Sequence, residues 1–274
     1  MAQGDERIRR VQAALQDTGL DALVCTLPAN VLLLSGYWPV VGSALAVATR
    51  EGHIAILAPE DERELAEQGW AHEVRTYQPG ALARLTSPAE VVREPLATLL
   101  RDAGLECGRL GYEDGDAYEP ATYLYGAALR AVLASAAPRA TLGSAAAPLT
   151  RIRSTMTAEE VAQVRLGCAI AAAAFAAGAR TIRPGRRESA VAAAFETPLR
   201  VLGIDHPDIE RAGGFTYCMS GPNAALAGGA YARTRARALR VSDLVLVHCN
   251  SYVDGYWTDI TRTYCLGEPD ERQR

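Results

Sequence analysis

Cysteines are few and scattered: Cys25, Cys107, Cys168, Cys218, Cys249 and Cys265 include no C-x-x-C pair. That excludes the common zinc-site spacings and the density of a small disulfide scaffold, and it predicts reduced, mostly buried thiols. No apolar run approaches the ~20 residues of a membrane helix, and the N-terminus lacks a positive segment followed by an apolar one. A cytoplasmic protein with no membrane partner is the expectation. Nor is there a basic cluster interleaved with aromatics, and the net charge is −4. A nucleic-acid partner is therefore disfavoured, which leaves a small peptide or small-molecule substrate.

What is present is 49% hydrophobic and 22% charged residues over 274 positions, enough for a core and suited to two domains. Over 5–17, Ile8, Val11 and Leu15 form one stripe of an amphipathic helix, with Gly19 as its stop. Leu23 to Thr26 predicts a short buried strand, Pro28 to Gly36 a helix or turn, and Ala44 to Ala48 with His53 to Leu57 a hairpin. Then come a charged helix over 60–68, a strand over 74–77, and a helix to Asp102 opened by the S-x-x-E capping box at Ser87. A strand over 109–113 and a helix over 120–134 complete an α/β sandwich of about five strands for a first domain, 1–150. The stretch from Ala136 to Pro148 is rich in Ala, Ser and Pro without periodicity, and reads as a linker. His53 and His72 read as surface or packing residues.

The second domain, 151–274, opens with an Ala-rich helix behind Thr157 and Glu160, which stand in capping-box spacing. A turn at Arg183 to Gly185, a helix over 188–202, a strand over 215–219 and a loop over 220–225 follow. The chain's densest signal comes next. Two β-branched and aromatic runs, Val241 to Val253 and Tyr256 to Cys265, flank Asp254-Gly255, a strong hairpin signal. With Val253 and Asp254 as the turn, His248 faces Asp259; with Asp254 and Gly255, His248 faces Thr261 and Asn250 faces Asp259. Either register puts His248, Asn250, Asp259 and Thr261 on one face, because strand side chains alternate with period two. Cys249 points to the other face.

The run from Gly255 to Tyr264, preceded by Asp243 to Val247, resembles the metal-binding hairpin of the pita-bread metallopeptidases: Xaa-Pro aminopeptidase, prolidase and the related creatinase. The segments 21–24 and 30–36 resemble the creatinase-type N-terminal domain that precedes this catalytic half. The resemblance implies an α/β (α+β) chain, with a creatinase-like domain followed by an incomplete pita-bread domain. It also implies a site for divalent metal (Mn, Co or Zn) that hydrolyses short Xaa-Pro peptides, and a possible homodimer. In that family two Asp on the hairpin and a later His and two Glu hold two metals. Asp259 matches the second Asp, but His248 stands at the first, and Gly228 stands where the family has a substrate-contacting His. A neutral imidazole cannot bridge two cations as a carboxylate does. With Asp259 the one matched metal ligand and His248 able to add one nitrogen, weak metal binding is expected, and no catalytic or substrate-binding residue is assigned.

His206 reads as a turn residue. After Gly267, Pro269 and the acidic residues read as the first turn of a new helix. The remaining family ligands would lie beyond Arg274, so a truncated, inactive fragment with an exposed sheet edge is the expectation. Two alternatives stand beside it: metal-free creatinase-like hydrolysis of an amidino C–N bond, and a non-catalytic relative in which His248 and Asp259 are a structural cross-strand pair.

Overall fold

The structure, a computed structural model, describes residues 4–40, 44–80, 83, 86–114, 125–228 and 233–274. The chain divides into two compact units, Met1–Thr157 and Ala158–Arg274.

The first unit is built on a six-stranded sheet. Its strands are β1 (Ala22–Cys25), β2 (Leu45–Thr49), β3 (Ile54–Pro59), β4 (Glu73–Tyr77), β5 (Arg109–Tyr112) and β6 (Thr141–Ser144), in the order β4-β3-β2-β1-β5-β6. β1–β2 and β2–β3 pair antiparallel, while β3–β4, β1–β5 and β5–β6 are parallel. Every residue of β1, β2 and β3 is buried, because helices cover both faces. Leu23, Cys25, Ala46, Ala48, Ile54 and Ile56 pack with α1 (Asp5–Thr18), α2 (Pro28–Ser35) and α6 (Ala146–Arg153). Their alternates Ala22, Val24, Leu45, Val47, Ala55 and Leu57 pack with α4 (Pro88–Asp102) and α5 (Tyr125–Ala136). A short α3 (Arg63–Glu67) precedes β4.

The hairpin, the Gly19 stop and the Ser87 cap form as expected; Ser87 Oγ accepts from Glu90 N at 3.3 Å. The helix expected from 120 lies outside the described residues up to 124. One expectation is corrected: the stretch read as a linker is β6 and the start of α6. Its periodicity is hidden because the strand has only four residues, and the helix relies on Ala and Pro in its first turn.

Two buried charges tie this unit together. Arg7, 2% exposed, donates to Ile152 O at 2.5 Å, a cation on the carbonyl end of α6. Glu113, 1% exposed, accepts from Thr26 N (2.8 Å), Leu27 N (3.0 Å) and Asn30 Nδ2 (2.7 Å) at the start of α2. Burial pushes the Glu113 carboxyl above its ordinary 4.5, against the pull of these donors. Between the two values the folded protein holds a proton that the unfolded chain has released, so stability falls as pH rises through that window. Glu113→Gln is expected to flatten this fall in urea unfolding followed from about pH 4 to 8; an unchanged slope would reject the assignment.

In the second unit α7 (Ala158–Ala179) and α8 (Glu188–Ile204) cover one face of an antiparallel sheet of β7 (Ala212–Ser220), β8 (Leu244–Val253) and β9 (Tyr256–Cys265), ordered β7-β8-β9. Val245, Val247, Cys249, Ser251 and Val253 of β8 turn inward, while the residues between them are only half-buried. The absence of a long apolar run is also corrected. α7 is long and apolar enough to cross a membrane by length and composition, because alanines carry its hydropathy; 33% of its most apolar window is buried. The new helix expected after Gly267 is one turn, in which Asp270 O accepts from Gln273 N (3.1 Å) and Arg274 N (3.2 Å).

The close approach of α7 to α8 depends on Gly178. A Cβ there would lie 2.3 Å from the fully buried Phe195 ring, which meets Phe175 edge-on at 5.1 Å. Gly178→Ala should destabilise the unit by about 1–3 kcal/mol in urea unfolding. No loss would mean that Phe195 can repack.

Candidate functional site on the β8–β9 hairpin

Asp254 and Gly255 both take positive φ, 45° and 88°, as a two-residue type I′ turn requires. Asp254 is held there by accepting from Arg211 N at 2.8 Å and Glu210 N at 3.2 Å. This selects the second of the two registers: His248 pairs with Thr261 and Asn250 with Asp259. On the far side of β8, His248 pairs with Tyr217 and Asn250 with Phe215. All six share the face turned away from the helices.

The His248 imidazole is held on three sides. Its Nδ1 lies 2.9 Å from Thr261 Oγ1 and 3.5 Å from Asp259 Oδ1, and Asn250 Nδ2 donates to Nε2 at 2.8 Å. The Tyr217 ring lies nearly parallel to it, tilted by 10° with centroids 6.2 Å apart. Both ring nitrogens thus have a polar partner within hydrogen-bond distance. Asp259 is by contrast 69% exposed. Cys249, on the helix side as expected, is buried, and burial pushes its thiol up; the nearby Cys218 thiol is pushed up to about 12, so neither is a thiolate nucleophile. Cys107 and Cys168 are exposed, so the thiols are less uniformly buried than the sequence suggests.

A second cluster, missed in the sequence, secures the loop after β7. Glu188, fully buried, accepts from Ser220 N and Oγ at 2.7 Å each, and from Asn223 Nδ2 and Arg235 N at 2.9 Å each. Arg237 joins Ser220 Oγ (2.6 Å) to Asp243 (2.5 and 3.0 Å). Burial works to raise the Asp243 carboxyl, but Arg237 and the Arg240 N–H outweigh it and hold it below its ordinary value. In sequence, Glu188 is only an acid at a helix start; its partners lie 32 to 47 residues away. Gly228 lies in this loop, exposed, with nothing within 4 Å of where a Cβ would stand. His206 is a turn residue whose Nδ1 accepts from Asp208 N at 3.2 Å.

The Creatinase/Prolidase N-terminal domain family model matches residues 7–155, and that of metallopeptidase family M24 matches residues 162–274. The chain belongs to the creatinase/prolidase M24 family. It is 32% identical over 123 residues to the Xaa-Pro dipeptidase of Pyrococcus furiosus, covering 45% of this chain and 33% of that protein. It is 23% identical over 266 residues to the uncharacterized peptidase YqhT of Bacillus subtilis, covering 97% and 67%. The prolidase structure from Pyrococcus horikoshii OT3 superposes with a TM-score of 0.72 at 21% identity, over 98% of this chain and 67% of that one. The X-Pro aminopeptidase from Thermotoga maritima MSB8 gives 0.72 at 18% identity, over 95% and 66%. The matched stretch thus spans about one third of the Pyrococcus Xaa-Pro dipeptidases.

M24 proteins generally depend on metal, and the hairpin's donors can be tested against that need. Both ring nitrogens of His248 are engaged, it brings no negative charge, and among the described residues Asp259 is the carboxylate paired with it. Among the described residues no group of three or more His, Cys, Asp or Glu is placed to hold a metal ion. This pair does not fit a carboxylate-bridged pair of cations. His248→Asp should raise Mn2+ affinity by about tenfold or more in calorimetry; an unchanged affinity would make the pair a structural cross-strand contact.

Proposed function

We propose that this protein is a short-peptide-directed member of its family, related to hydrolases that cleave Xaa-Pro bonds with divalent metal, and that these 274 residues do not cleave such bonds by themselves. The observation that carries this reading is His248, hydrogen-bonded through both ring nitrogens beside Asp259, where the resembling hairpin has a metal-bridging Asp. Family membership supports peptide as the substrate class. In the site as it stands, Asp259 and Thr261 orient the imidazole through Nδ1, and Asn250 holds its Nε2. Gly228 offers no side chain to move a proton near a scissile bond.

A second reading is favoured by the same pair. An imidazole 3.5 Å from a carboxylate is an acid–base couple, as hydrolysis of an amidino C–N bond without metal would need. One assay separates the two. The purified chain is incubated with Leu-Pro and with creatine, each with and without Mn2+, Co2+ or Zn2+, and product is followed. No proline release above the metal-only control is expected. Metal-dependent release of proline would overturn the inactivity, and creatine cleavage would favour the second reading.

A further inference from the structure

His53 and His72, both exposed, meet at the edge of the first unit's sheet, where β4 is the last strand. Their ring centroids are 5.2 Å apart, with the planes tilted by 35°. The two are bonded differently. His53 Nε2 lies 3.4 Å from Glu73 Oε2, an ion-pair contact at the surface. His72 Nδ1 instead accepts from the backbone N–H of Ile54 at 3.1 Å, while His72 N donates to Ile54 O at 2.8 Å. The residue that leads into β4 thus holds both backbone polar groups of the fully buried Ile54.

The ladder explains why a side chain is needed there. Thr49 N donates to His53 O across β2 and β3, so by strand alternation the Ile54 N–H points the other way, toward β4. With His72 N on Ile54 O, a regular parallel ladder would offer the Ile54 N–H the carbonyl two residues earlier, at Trp70. Trp70 is drawn elsewhere. Its N donates to Ser35 O at 2.7 Å and its indole N–H to Leu34 O at 2.8 Å. The His72 imidazole stands in for that carbonyl, and a buried strand's amide does not lose its acceptor without cost.

A carbonyl accepts at any pH, whereas an imidazole accepts at Nδ1 only while that nitrogen keeps its lone pair. We propose that His72 is an acid-sensitive clasp on this sheet edge: a second ring proton breaks its bond to Ile54 and frees the start of β4, leaving the end of β3 uncovered. The charged groups around the two rings are Glu51 in the turn between β2 and β3, Glu73 and Arg75 on β4, and Asp102 at the end of α4, which line one cleft with His53. Arg75 donates to Glu73 at 2.5 Å and to Asp102 at 2.7 Å. Burial works to raise the Glu73 carboxyl, but Arg75 and His53 outweigh it and hold it below its ordinary value, so it stays an anion where imidazoles titrate. A charged His53 keeps its contact with Glu73. Of the two rings, only His72 loses a bond on gaining a proton.

The test follows amide hydrogen exchange in the whole chain by NMR, corrected for the intrinsic pH dependence of exchange. From about pH 7.5 to about 5.5, the range in which imidazoles titrate, protection of Ile54 should fall about tenfold or more. Leu23 and Val24, in β1 at the middle of the sheet, should keep theirs. His72→Asn, whose Oδ1 can stand where Nδ1 does without titrating, should hold Ile54 protected throughout. His72→Phe should leave Ile54 poorly protected at both ends of the range, and His53→Asn should preserve the fall. A pH-independent Ile54 in the unsubstituted chain, or a fall that survives in His72→Asn, would overturn the proposal. So would a fall abolished in His53→Asn, which would move the switch to the His53–Glu73 contact. Loss of protection at Leu23 and Val24 alongside Ile54 would overturn it too, because the event would then be global unfolding rather than release of an edge.

Discussion

Two consecutive positive φ angles, at Asp254 and Gly255, set what the second unit presents to solvent. A strand has a side-chain period of two, so slipping β9 by one residue would turn Asp259 toward the helices and Ile260 outward. Slipping it by two keeps the face but changes the partners, and that was the ambiguity between the two possible turns. The geometry of Asp254 resolves it, because its carboxylate is tied to the backbone just before β7. One turn therefore fixes both that His248 and Asp259 share a face and that they meet diagonally across the hairpin.

Within each unit the fold relies on a buried carboxylate used as a hub for backbone donors. Glu113 in the first unit and Glu188 in the second each accept from backbone N–H groups of segments distant in sequence. Burying a charge alone is costly, and these sites are tolerable because three or four donors converge on each. Glu188 joins the start of α8 to both ends of the loop that contains Gly228. The loop is thus anchored by a residue outside the site face.

The departures from the family pattern have a common sense. Where the resembling hairpin has an Asp, His248 has an imidazole whose two nitrogens both have partners, and Gly228 has open space where a side chain would stand. The same face carries Asp259, Asn250, Thr261 and a set of aromatic rings.

How much of this was legible in the sequence follows from the range of the interactions. The hairpin, the shared face of His248 and Asp259, the Gly19 stop and the Ser87 cap were readable because each is settled within a few residues by φ preference, alternation or a local hydrogen bond. The family was readable from the run 255–264, whose polar spacing is local as well. The Glu188 hub was not, since its donors are distant in sequence and a helix-initial Glu looks like any other. Nor was β6, four residues long, whose strand character comes from pairing with β5. The aromatic patch was hidden for the same reason: Phe215 and Trp257 lie 42 positions apart, and only the β7-β8-β9 register sets their rings side by side. By itself the sequence determined most of the elements, the family and which side chains share the hairpin face, because backbone preference and period two act locally. Tertiary structure decided the hairpin register, the partners of the imidazole and what surrounds Asp259, because hydrogen bonds and ring contacts depend on distances that only the folded sheet sets.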